Sequence, residues 1–264
     1  VLQNYATSLS CIDVLTRSAL SFVIPESLLR NMAKRIDITS LVGGEVLAGR
    51  GESATKFSIL IKGKVGIYVS TRSQKNQPPS LLSYRTPISF FGESTFSSHP
   101  NPYRSCRTEE ASTLLILKEE DRIWLLTKFK SLQGALHDLF YAGVKSCITK
   151  AATFAGLTTA QIDLLQMAFN FRVLRKGEVL HYEKEMTTNK LYIVYKGEIV
   201  ASRHSGSKSA ECYERRYLPG EALDVIALVH SVSSQREEMV KATKRSLLLE
   251  LEASSFHRFL SFTK

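Results

Sequence analysis

Gly44-Glu45-Val46-Leu47 and, further on, Phe57-Ser58-Ile59-Leu60-Ile61-Lys62-Gly63-Lys64-Val65 decide how this chain is built, because both stretches return in its second half. The first recurs letter for letter as Gly177-Glu178-Val179-Leu180. The second recurs in pattern as Leu191-Tyr192-Ile193-Val194-Tyr195-Lys196-Gly197-Glu198-Ile199. The offset is 133 residues at the first marker and 134 between Gly63 and Gly197. Two markers at nearly one offset imply tandem copies of a single β-rich domain, so each copy serves as a control for the other.

Around these markers the apolar residues alternate in short runs, as in Ile36, Ile38, Val46, Phe57, Ile59, Ile61, Val65, Ile67 and Val69. Glycine turns at Gly43-Gly44, Gly49-Arg50-Gly51 and Lys62-Gly63 break the runs, which is the pattern of strands joined by tight turns. The polar segment 71–80 reads as an exposed loop, and strands follow at 81–84 and 112–118. Helical spacing flanks each set of strands. Leu28, Leu29 and Met32 follow Pro25-Glu26, and Ile123, Leu125, Phe129, Leu132, Leu136 and Leu139 keep a helical period from Glu119 to about Thr149. In the second copy Thr158-Thr159-Ala160-Gln161 opens a helix, strands run from Phe171 to Leu251, and a last helix begins near Ala253.

Each copy is therefore helix, about eight short strands, helix: a mainly β fold of two tandem double-sheet, jelly-roll-like barrels with flanking helices. The expected division is a helical lead-in over 1–20, a first domain with its hinge helix over 21–150, and a second domain over 151–264. A length of 264 residues suits two domains of about 130 residues, and 44% hydrophobic residues supply a core for each.

The same composition limits function. No apolar run is long enough to span a membrane, and no signal peptide opens the chain, so a cytoplasmic protein is expected. A start at Val1 suggests a piece of something longer. Cys11, Cys106, Cys147 and Cys212 are dispersed with no CxxC, which argues against zinc and for reduced intracellular thiols. The six histidines, His99, His137, His181, His204, His230 and His257, form no His-x-His pair of the kind a metal-holding barrel needs. Neither a Gly-x-Ser-x-Gly elbow nor a Walker loop is present, so a non-enzyme with no cofactor is expected. The formal charge of +10 favours an anionic partner, although no run of five Lys/Arg marks a nucleic-acid tail.

One stretch carries anion chemistry. Phe90-Phe91-Gly92-Glu93-Ser94 is followed, after Ser97-Ser98-His99-Pro100-Asn101-Pro102-Tyr103, by Arg104. A glycine lets backbone N–H groups approach a phosphate, a carboxylate accepts from sugar hydroxyls, and an arginine fork-bonds the anion. Placed within a helix–barrel–helix layout, this stretch resembles the phosphate-binding cassette of the cyclic nucleotide-binding domain. That cassette reads Phe-Gly-Glu, apolar residues, a short connection, then Arg-Ala-Ala-Thr. The tandem arrangement over about residues 20–264 looks most like the regulatory subunits of cyclic-AMP-dependent protein kinases.

The resemblance implies a cyclic AMP or cyclic GMP ligand held by Gly92, Glu93, Ser94, Arg104 and Ser105, with Glu93 on the ribose 2′-hydroxyl and Arg104 on the cyclic phosphate. It also implies a relay of occupancy to a partner such as a kinase catalytic subunit. The first copy departs from the pattern. Its glycine-to-arginine stretch is two residues longer than usual, Ser94-Thr95 replace an apolar pair, and Arg107 stands where threonine is usual.

In the second copy, Leu223-Asp224-Val225 align with Phe-Gly-Glu at an offset of 132 residues, with Ser233-Ser234 in the arginine's neighbourhood. This register puts an aspartate in the glycine's place and a valine in the glutamate's, which disables the copy for cyclic nucleotides. A rival register uses Gly220-Glu221 with Arg236. A DNA-binding regulator is not expected, since a second barrel stands where a helix-turn-helix would follow. The residues leave open a pseudo-receptor scaffold, or a binder of a non-cyclic nucleoside or another anion.

Overall fold

Residues 11–49, 56–70, 78–96, 104–203, 213–229 and 235–263 are described by a computed structural model. The chain divides into two compact units, Val1–Ala142 and Gly143–Lys264.

In the first unit the alternating runs become β1 (Ile36–Leu41), β2 (Val46–Ala48), β3 (Phe57–Lys62), β4 (Val65–Val69), β5 (Ser80–Arg85), β6 (Phe90–Phe91), β7 (Arg104–Thr108) and β8 (Ser112–Leu117). They form two antiparallel sheets, ordered β1-β8-β3-β6 and β2-β7-β4-β5. The second unit repeats the set as β9 (Asn170–Leu174), β10 (Val179–His181), β11 (Lys190–Lys196), β12 (Ile199–Arg203), β13 (Tyr213–Tyr217), β14 (Ala222–Leu223), β15 (Met239–Ala242) and β16 (Ser246–Glu252). Its sheets, β9-β16-β11-β14 and β10-β15-β12-β13, have the same topology. Two double-sheet barrels in tandem, with flanking helices, are what the repeat implied.

The cores are built from matched positions. Leu60, Val65, Ile67, Phe91, Cys106 and Leu114 pack together in the first barrel. Val194, Ile199, Ala201, Leu223, Val240 and Leu248 pack in the second. Full burial of each larger apolar side chain contributes on the order of 1.5–3 kcal/mol. The shared Lys-Gly turn has a steric reason: Gly63 and Gly197 lie at φ +98° and +95°. A Cβ on either would run into Ser112 or Ser246.

The helices start where the caps say. Pro25 precedes the helix Glu26–Ala33. Thr158 caps Thr159–Leu165 reciprocally with Gln161, its hydroxyl accepting from the Gln161 N–H and its own N–H donating to the Gln161 side chain. The expected single helix from Glu119 to Thr149 is instead divided. Glu119–Lys128 ends at Phe129, which leaves helical geometry at φ −127°, ψ 78°. Ser131–His137 follows, then one π-helical turn, Asp138–Ala142, then Gly143–Lys150. The apolar period could not show the breaks, because Leu125, Leu132, Leu136 and Leu139 are buried on either side of them. The wider π turn also buries Leu139 and its neighbour Phe140 together, and Phe140 sits edge-on to Phe90 at 5.2 Å. Among the described residues no helix is long and apolar enough to cross a membrane.

Candidate functional site

β6 ends at Phe91, and Gly92 turns the chain at φ +77°. A Cβ at this position would collide with the Lys56 carbonyl oxygen, so the turn requires glycine. The next four residues, Glu93–Phe96, form a single 3-10 turn. Thr95 closes it, donating from its N–H (3.0 Å) and its hydroxyl (2.7 Å) to the Gly92 carbonyl. Arg122, from the helix Glu119–Lys128, donates to the Thr95 carbonyl at 2.9 Å and ties that helix to the turn.

Arg104 comes from the opposite sheet. In β7 and β4, Arg104, Cys106 and Thr108 pair with Val69, Ile67 and Val65, all three of them buried. Strand alternation therefore turns Arg104 into the barrel. Its Nη1 lies 3.3 Å from Glu93 Oε2, with only 17% of one side chain and 11% of the other exposed. Glu93 Oε2 is buried yet has no aligned donor among the described residues, so this contact is an ion pair that leaves an acceptor unused. Burial works against the Arg104 charge, but Glu93 outweighs it and holds the guanidinium above its ordinary value.

Two further groups border this pair. Arg85 pairs with Val65 across β5 and β4, so it also faces inward and is buried. Burial, then the charge of Arg104, pushes it down to about 10, against the pull of Glu93. The Tyr141 hydroxyl, in the π turn, is pushed up first by burial and then by Glu93, so it remains a donor.

The structure thus brings Gly92, Glu93 and Arg104 together. Ser94 contributes backbone to the 3-10 turn, and its side chain lies outside the described residues, as do Pro100, Pro102 and Tyr103. Ser105 is not brought in. It pairs with Tyr68, whose hydroxyl donates to Glu109 and accepts from Arg107, so alternation puts the Ser105 side chain on the outer face of the sheet.

The second barrel repeats the backbone and changes the chemistry. Asp224 lies at φ +58° between β14 and the 3-10 turn Val225–Leu228, and its carbonyl accepts from Ala227 N–H at 2.9 Å as Gly92's does from Thr95. This is the Asp224-on-Gly92 register. Gly220-Glu221 instead form the preceding turn, where Gly220 N–H donates to Val194 as Ile88 N–H donates to Leu60. The arginine expectation needs correcting. Ser233-Ser234 lie outside the described residues, and Arg236, named only in the rival register, is the arginine that reaches Asp224. It forks onto the carboxylate, Nη1 to Oδ1 and Nη2 to Oδ2, both at 2.9 Å. Nη2 also donates to Thr188 at 3.3 Å, and His181 Nε2 lies 3.1 Å from Oδ2.

Matched inward positions carry side chains of different size in the two barrels. Ala48, which pairs with Cys106, is replaced by His181, which pairs with Val240. Ser58, opposite Phe91, is replaced by Tyr192, opposite Leu223. Arg85, opposite Val65, is replaced by Tyr217, opposite Ile199. Arg85, Tyr141, Arg122 and His181 escaped the sequence reading. Arg85 had a signal, since Pro87 and Pro219 share the offset of 132 residues that links Gly92 to Asp224.

Comparison with known proteins follows the same lines. The regulatory domain of Toxoplasma gondii protein kinase A with cAMP superposes with a TM-score of 0.60 at 16% identity, over 97% of this chain and 92% of that one. A regulatory subunit of a cAMP-independent protein kinase A from Trypanosoma cruzi, bound to guanosine, is a looser match, with a TM-score of 0.45 at 13% identity over 95% and 83% of the two chains. A cyclic nucleotide-binding-like protein from Brucella abortus covers 44% of this chain and 97% of its own at 23% identity, with a TM-score of 0.38. No curated protein sequence matches significantly. The sequence profile of the cyclic nucleotide-binding domain matches residues 38–128 and again 171–261, one match on each barrel. The chain belongs to the cyclic nucleotide-binding domain family, as a tandem pair with the fold of protein kinase A regulatory subunits.

Proposed function

We propose that the first barrel binds a cyclic nucleotide, cyclic AMP or cyclic GMP, and that the helices after β8 relay its occupancy to a signalling partner of the kinase catalytic-subunit type. The observation that carries this reading is the buried Arg104–Glu93 pair beside a left-handed Gly92. Arg104 supplies a fork for the cyclic phosphate, and Arg85 adds positive potential from the same inner face. Glu93 Oε2 is buried without an aligned donor, which supports its accepting from a ribose 2′-hydroxyl. Gly92 lets the chain turn at positive φ beside the pair, where a side chain would not fit.

The relay begins at Arg122. A phosphate that pulls on Arg104 loosens its hold on Glu93 and shifts the 3-10 turn, whose Thr95 carbonyl Arg122 holds. Ligand then favours whichever position of that helix its contacts stabilise. No bond is made or broken in this scheme.

Isothermal titration calorimetry of the whole chain with cyclic AMP and with cyclic GMP tests it. One binding event is expected, and Arg104→Ala should weaken it by about a hundredfold, on the scale of a lost charge-assisted hydrogen-bond pair. Glu93→Gln should weaken cyclic AMP more than its 2′-deoxy analogue. Absence of heat with either nucleotide at millimolar concentration would refute the sensor reading.

A further inference from the structure

We infer that the second barrel contains a phosphate site filled by its own carboxylate: Asp224 stands where the ligand's anion would sit, between Arg236 and His181. The ligand class it excludes, and would accept once opened, is a phosphate ester such as a cyclic nucleotide.

The placement rests on the backbone. Asp224 occupies the left-handed position that Gly92 occupies in the first barrel, at the start of the same 3-10 turn. The Asp224 side chain extends from this turn to Arg236 and His181. Aspartate tolerates φ above zero better than most residues, and two side chains, Arg236 and His181, face this one. Arg236 grips both carboxylate oxygens at 2.9 Å, and His181 Nε2 lies 3.1 Å from one of them.

The donors exceed what the carboxylate can use. Only 7% of the Arg236 side chain is exposed, yet its Nε is buried with no acceptor among the described residues. A planar carboxylate has two oxygens, and both are taken up by Nη1 and Nη2. A phosphate offers a further oxygen for a donor such as Nε. The cationic wall of an anion site is therefore in place, closed from inside by one residue. The ribose end is missing as well, because exposed Val225 follows Asp224 where Glu93 follows Gly92.

The inference stands apart from the reading of the first barrel, and so does its test. The full chain carrying Arg104→Ala is titrated with cyclic AMP and, separately, with inorganic phosphate, then compared with the same chain carrying Asp224→Gly as well. Before the second substitution only the weakened first-barrel binding is expected, and none that depends on Arg236. One further event per chain is expected after it, abolished by adding Arg236→Gln and strengthened for cyclic AMP by Val225→Glu. Asp224→Gly removes a non-glycine residue from positive φ, so the backbone favours the variant.

Asp224→Ala provides an independent readout, because it empties the place of the carboxylate. It should lower the melting temperature, and phosphate should restore it in the variant while leaving the parent unchanged. A folded Asp224→Gly chain that takes up neither probe, with an Asp224→Ala melting temperature insensitive to phosphate, would overturn the inference. Heat in the Arg104→Ala chain that Arg236→Gln removes would overturn it too, since the site would then be open with Asp224 in place.

Discussion

The two barrels share strand order, register, core positions and the left-handed turn before the 3-10 segment, and they differ in what fills the space beyond that turn. In the first, Ala48, Ser58 and Gly92 are small, and the buried charges are Glu93 with two inward arginines. In the second, His181, Tyr192 and Asp224 stand at those positions, and Asp224 takes both Nη groups of Arg236. A buried ion pair with an acceptor to spare and a packed polar network are thus alternative uses of one backbone, decided at a handful of inward positions.

The comparison breaks most readily at Asp224. Asp224→Ala should destabilise the second unit by roughly 3–4 kcal/mol, because it strands a buried guanidinium. Urea unfolding that separates the two units measures this, with Arg104→Ala in the unliganded first barrel as the milder counterpart. Acid sharpens the contrast. Burial raises the Asp224 pKa, but the hydrogen bonds and charges of His181 and Arg236 outweigh it, and the net value lies below the ordinary aspartate range. The stability this carboxylate confers is present in full above the unfolded value of about 3.9 and is lost as pH falls through the lower native value. Asp224→Asn should flatten that limb of the stability–pH curve.

Next in size is Gly92→Ala, which meets the Lys56 carbonyl and should cost the first unit roughly 2 kcal/mol in the same unfolding assay. Arg85→Leu should weaken cyclic nucleotide binding by about tenfold, near 1.4 kcal/mol, whereas Tyr217→Leu at the matched position leaves it unchanged. The smallest effect is expected at Ile88. It holds φ +68° where the second barrel has Gly220 at +96°. Ile88→Asn should stabilise the first unit by about 0.5–1 kcal/mol, read as a higher urea midpoint.

Much of the fold was legible because its repeated letters are sterically obligatory. Gly63 and Gly197 recur because a serine on the neighbouring strand, Ser112 or Ser246, leaves no room for a Cβ. Gly44 and Gly177 recur because both turns run at positive φ, +89° and +83°. The Asp224 register was legible for a related reason, since the apolar residues on either side of it hold their offset.

Arg236 was within reach of the sequence: it lies twelve residues after Asp224, as Arg104 lies twelve after Gly92, so the offset of 132 that links the turns also links the arginines. The two extra residues of the second copy come afterwards, between Arg236 and Val240. Arg85 was hidden by its type, because a lone arginine in an alternating strand is ordinarily an outward residue. The breaks after Lys128 and at Asp138–Ala142 were hidden because an apolar period records which faces are buried and says nothing of how the backbone travels between them.

The buried cysteines give each barrel a chemical clock. Cys106 belongs to the first core and Cys147 to the second unit, and burial pushes both thiols up to about 11. Alkylation requires the thiolate and access to solvent, so neither sulfur reacts until its own unit opens. The labelling rate at Cys106 therefore times the opening of the first barrel and that at Cys147 the opening of the second. Cyclic nucleotide that binds the first barrel should slow the former and leave the latter running at its own pace.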